Sequence, residues 1–219
     1  AGTVANDVAL GAGPATFDAV STTTLAGTIS GTGLLVKAGS GTLVLTGTNA
    51  NSGGIRVDQG TLSFVSGGLG STGAITMNGG ALQWATGNTQ DVSSRLTFVD
   101  ATAATLDTNG NSVTLASSLG AGTSGGFVKT GAGWLTLSSA SGYTGSTTVS
   151  GGTFALTGAG SIATSSGLDL SAAGATFAIS AADGNRTIGN LSGVAGSTIL
   201  LGGNSLRAVI DSNGSVFGG

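Results

Sequence analysis

The chain has 219 residues, with 43 Gly, 32 Thr and 28 Ser against 15 charged residues and a net charge of −3. So much Gly excludes an α-helical protein, because each helical Gly costs about 1 kcal/mol, and 39% hydrophobic content at this low net charge excludes disorder. The six cations, Lys37, Arg56, Arg95, Lys129, Arg186 and Arg207, are spread singly, whereas a nucleic-acid binder clusters them.

Taken in chain order, the elements are short strands. Apolar residues alternate with small or hydroxylated ones at Leu43/Leu45, Leu62/Phe64, Ile75/Met77, Leu82/Trp84 and Leu96/Phe98. The pattern continues at Leu135/Leu137, Phe154/Leu156, Leu168/Leu170 and Phe177/Ile179. Period two bounded by turn clusters such as Thr46-Gly47-Thr48-Asn49 and Asn78-Gly79-Gly80 predicts strands. The longest apolar runs, Leu34-Leu35-Val36 and Ile199-Leu200-Leu201, fall far short of the roughly 18 residues of a membrane helix. No membrane contact by this segment is expected.

An internal repeat decides the architecture. Residues 35–64 align without a gap on residues 127–156 at an offset of 92, and ten of thirty positions are identical. They include Lys37/Lys129, Gly39/Gly131, Gly41/Gly133, Leu43/Leu135, Leu45/Leu137 and Gly60/Gly152. Leu106…Gly110-Asn111-Ser112-Val113 matches Ile199…Gly203-Asn204-Ser205-Leu206 at offset 93. Sandwiches have no reason to repeat in this way, whereas a solenoid does. The expectation is a single all-β segment, a right-handed parallel β-helix of nine to ten coils, uncapped at both ends. Its units are approximately 35–126 and 127–219, with 1–34 the end of a preceding unit, and each unit divides into four coils of about 23 residues. The chain then reads as cut from a longer array.

The two aligned blocks resemble the repeat of Gram-negative autotransporter passenger domains (type V secretion). The matching residues are Val128-Lys129-Thr130-Gly131-Ala132-Gly133, Leu135-Thr136-Leu137, Tyr143-Thr144-Gly145, Thr147-Thr148-Val149 and Gly152-Thr153. Similar wording runs from Phe17-Asp18 to Leu25…Gly33 and through Thr187…Gly193. The first block departs from the pattern at Asn51, Arg56 and Gln59, which are expected at surface or turn positions. The resemblance implies an extracellular, cell-surface stalk or adhesin segment, with an outer-membrane β-barrel following it in the full-length protein. Implied partners are a host-cell or cell-surface ligand, or copies of the chain itself. Passengers of this kind also include toxins, esterases and proteases.

No catalytic, cofactor or metal site is expected. Gly122-Thr123-Ser124-Gly125-Gly126 matches G-x-S-x-G, but no His exists to serve as base. The overlapping Gly120…Gly125 match to G-x-G-x-x-G lacks a following helix. Asp107-Thr108-Asn109-Gly110-Asn111 and Asp211-Ser212-Asn213-Gly214 have calcium-loop wording without the closing Glu, and solenoid corners explain them better. A carbohydrate-active alternative would need Asp169 and Asp183 to meet on adjacent rungs. Trp134 and Tyr143 are the candidate exposed aromatic contacts, whereas Trp84, in phase with Leu82, faces inward.

Overall fold

Strand after strand, the alternating segments close into parallel ladders. The computed structural model describes residues 1–209 and the strand Val216–Phe217. All its strand pairings are parallel. The fold is a β-solenoid of about ten turns without an α-helix among the described residues; Ser93–Arg95 forms one 3-10 turn.

One sheet of eleven strands runs the whole length, taking one strand from every turn. A second sheet of five strands, Ala15–Asp18 to Leu96–Phe98, supplies the strand just before the long sheet in each early turn. A third, Ser112–Leu115 to Thr198–Leu200, supplies the strand just after it in later turns. Two-stranded ladders, Val8–Leu10 with Ile29–Gly31 and Arg186–Ile188 with Leu206–Ala208, fill the remaining face near either end.

Like stacks on like inside. The register places Leu43, Leu62, Leu82 and Leu106 in one column, and Leu45, Phe64 and Trp84 in the next. All are buried, and each apolar side chain contributes roughly 1.5–3 kcal/mol. Trp84 packs at 5.4 Å from Phe64 and donates its Nε1–H to the Gln90 carbonyl at 2.9 Å. From Phe98 the aromatic line continues through Tyr143, Phe127, Phe154 and Phe177, with ring centroids 5.2–6.2 Å apart.

The turn is less regular than an even division of the repeat into four coils implies. Along the long sheet the step from Leu43 to Leu62 is the shortest, and that from Leu82 to Leu106 is among the longest. The repeats also sit on different faces. Leu35–Ala38 belongs to the second sheet, but its counterpart Phe127–Thr130 belongs to the long sheet. Thr42–Leu45 is in the long sheet, and its counterpart Trp134–Leu137 is in the third. The repeat unit therefore advances four turns and one face. Replacing Leu106 by Ala, which opens a cavity between Leu82 and Lys129, is expected to cost about 3 kcal/mol in urea unfolding.

Candidate functional site

The most distinctive chemistry lies at two corners of the repeat motif. Lys37 and Lys129 are two residues beyond Leu35 and Phe127, so the strand alternation points them inward. Lys37 stacks between Phe17 and Val57, and Lys129 between Leu106 and Val149. Both side chains are 0% exposed. The Lys37 ammonium donates to the carbonyls of Ala38 (2.6 Å), Gly39 (2.7 Å) and Gln59 (3.1 Å). Lys129 donates to those of Thr130 (2.7 Å), Gly131 (2.7 Å) and Gly151 (3.1 Å). Corner carbonyls leave the strand ladder, and three ammonium protons replace the bonds they lose.

Each corner also has an Asp one rung below. Asp18 pairs in register with Ala38, and Asp107 with Thr130. Gly39 and Gly131 take φ of +73° and +69°, and a Cβ on either would collide with backbone of the rung below, the Ala19 carbonyl at 2.7 Å or the Asn109 nitrogen at 2.8 Å. Glycine is required here on both grounds. Burial pushes the Lys129 ammonium down to about 8, opposed by the Asp107 charge; burial likewise lowers Lys37, opposed by Asp18. The Asp107 loop is accounted for by a solenoid corner: Oδ1 accepts the Asn109 N–H at 2.8 Å, and Oδ2 accepts the Gln83 amide at 2.7 Å. Asp211–Gly214 lies outside the described residues.

Tyr143 is not a surface aromatic. It is 0% exposed, between Phe98 and Phe127, and its hydroxyl lies 2.7 Å from Thr147 Oγ1, which in turn contacts Ser165 Oγ at 3.2 Å. The turn that carries it, between Trp134–Leu137 and Thr147–Val149, directs the ring inward, so it joins the aromatic line instead of leaving it. Its counterpart Asn51 lies in a turn, as expected of a surface or turn position, but is also buried, with Nδ2 donating to the Gly54 carbonyl at 3.1 Å. The hydroxyl that Tyr143 meets at Thr147 has Ile55 in its place in the first block. Arg56 and Gln59 do lie outside, Arg56 in a bidentate pair with Asp58 at 2.7 and 2.8 Å.

Trp134 does face outward. It is 44% exposed, in an outer column with Ser112 below and Thr153, Thr176 and Thr198 above. Asp169 and Asp183 do not form a pair. Asp169 accepts from Ser192 Oγ at 2.7 Å and lines a shallow cavity of about 290 Å³ on the long sheet with Ser146 and Ser166. Asp183 follows the third-sheet strand Thr176–Ala182 and is not part of that lining. Among the described residues no three His, Cys, Asp or Glu side chains group as a metal site. Ser124 of the G-x-S-x-G match shares hydrogen bonds with Asp100 and the Ala101 N–H, and a strand rather than a helix follows.

The passenger-associated-transport-repeat family model matches the chain twice, at residues 35–64 and 127–156. Over 146 residues, 62% of this chain, the sequence is 38% identical to the autotransporter adhesin BmaC of Brucella suis biovar 1, strain 1330. The chain spans 4% of that relative's length. No solved structure matches it.

These buried groups make stability depend on alkaline pH. Folded Lys129 ionises near 8 against an ordinary 10.5, so between those values the unfolded chain binds more protons. Stability then rises with pH, by up to about 1.4 kcal/mol per unit. Tyr143 acts oppositely: burial raises it above 10.0, so beyond that pH the folded chain retains the proton and stability falls. The urea midpoint is expected to climb from pH 8 to about 10 and then drop. Lys129→Met should flatten the climb and cost about 2 kcal/mol at pH 7 through unpaired carbonyls, and Tyr143→Phe should remove the drop.

Proposed function

Taking the chain as a repeat segment of an autotransporter adhesin passenger, we propose that it is a non-catalytic stretch of extracellular wall that holds an adhesive surface away from the cell and contributes contacts to it. The observation that carries this reading is where the polar groups lie. The interior is filled mainly by stacked apolar side chains, and the outer column of the third sheet presents Ser112, Trp134, Thr153, Thr176 and Thr198, with Trp134 exposed among the hydroxyls. A wall of short hydroxyls costs little entropy to order against a partner, because Ser and Thr have few rotamers to lose. An exposed indole adds the apolar anchor that such contacts concentrate around.

Trp134 with Ser112 and Thr153 forms the centre of the proposed contact. The partner is a host-cell or cell-surface ligand, or the same wall on another copy. Beads coated with the segment should attach to cultured epithelial cells or to one another more than albumin-coated beads do. Trp134→Ser should lower that attachment several-fold with the urea midpoint unchanged, since the indole adds nothing to the interior. Equal attachment of segment-coated and albumin-coated beads, with no concentration-dependent light scattering, would overturn the reading.

A further inference from the structure

The second sheet stops half-way along the solenoid, at Leu96–Phe98. Alternate residues of a parallel strand turn their polar groups to alternate neighbours. The Val99 N–H donates to the Met77 carbonyl, so Thr97 and Val99 face the strand below and Leu96 and Phe98 face the other way. The Leu96 N–H closes locally on the Ser93 carbonyl. The Leu96 carbonyl and both polar groups of Phe98 have no protein partner among the described residues.

The segment above does not supply one. Residues 119–123 bond to the following turn, with Gly142 N–H to the Leu119 carbonyl at 3.0 Å and Thr144 N–H to the Thr123 carbonyl at 2.9 Å. What lies between is an open groove of about 500 Å³, lined by Ser94, Thr97, Phe98, Ser118, Ala121 and Thr123 among others, with no charged residue. This is the place that the sixth strand of the second sheet would occupy.

We propose that this groove binds an extended polypeptide strand of another protein, which adds in parallel to the edge Leu96–Phe98. A residue opposite Thr97 donates its N–H to the Leu96 carbonyl and accepts the Phe98 N–H, continuing the ladder. The uncharged lining selects uncharged side chains over about three residues, some 10 Å of strand. This site does not rest on the adhesion reading, since a segment that binds no cell would still bind such a peptide.

The test uses the 219-residue segment and a labelled peptide, acetyl-Ala-Ile-Thr-Met-Asn-amide, which copies Ala74–Asn78, the strand already paired with the opposite edge. Fluorescence anisotropy should show saturable binding, and hydrogen exchange should slow at the Phe98 amide. N-methylation of the peptide Thr removes the donor that meets Leu96 and should weaken binding about tenfold, leaving the protein untouched. Ala121→Trp, at an exposed position, should block the groove with the urea midpoint unchanged. No saturation at millimolar peptide, equal binding of the methylated peptide, or protection confined to residues outside 96–98 would each overturn the proposal.

Discussion

Every turn of this chain takes its hydrogen bonds from the turn beneath it, and that constraint governs the rest. Strands satisfy it automatically; corners do not, because a bending backbone swings carbonyls out of the ladder and toward the dry interior. The protein's scarce cations are spent there. Lys37 and Lys129 close three carbonyls each. Arg95 reaches those of Leu69, Gly70, Thr72 and Gly73, and Arg186 those of Gly158, Gly160, Gly184 and Asn185. Burying an ammonium is expensive, and the charge-assisted hydrogen bonds to the carbonyls, together with the charge of an Asp one rung away, offset much of that cost. The gain is specificity: a corner shifted by one residue would strand both the charge and the carbonyls.

Such a device is local, which explains how the repeat can ignore the turn count. A unit of four turns and one face never stacks on its own copy in the same orientation. The identities between the blocks are concentrated in the Val-Lys, Gly-x-Gly and Leu-x-Leu positions, the parts that build one strand–corner–strand hinge. A hinge works on any edge of a three-faced prism. Turn length can therefore drift, from the short step Leu43 to Leu62 to the long one Leu82 to Leu106, while the core columns stay in register.

Alternation made the strands and their inward residues readable from the amino-acid sequence, Leu82 and Trp84 among them. The same rule also placed Lys37 in phase with Leu35, and Lys129 with Phe127, so the buried ammonium groups were legible in principle and masked only by the habit of expecting lysine outside. Tyr143 was not legible, because it lies in a turn where no period operates and its burial depends on Phe98 and Phe127 from other turns. The Asp18 and Asp107 partners are also hidden. They do not align when the two blocks are superposed, since the rung from Asp18 to Ala38 is shorter than the rung from Asp107 to Thr130.

A solenoid filled in this way keeps its interior closed, and its openings lie on the outside, between turns. Among the described residues three of the carboxylates serve the framework itself: Asp58 pairs with Arg56, Asp107 serves a corner, and Asp169 bonds Ser192. What remains for recognition is either the wall or an interruption in the ladder. The wall offers breadth, with hydroxyls repeating at about 4.8 Å intervals and each contributing little. The interruption offers backbone groups that have no alternative protein partner. Two of the longer turns of the molecule, Leu82 to Leu106 and Leu106 to Lys129, are the ones that flank it. Added chain length there bulges out of the ladder instead of extending it, and a fold built on continuous pairing acquires a place where pairing is left unfinished.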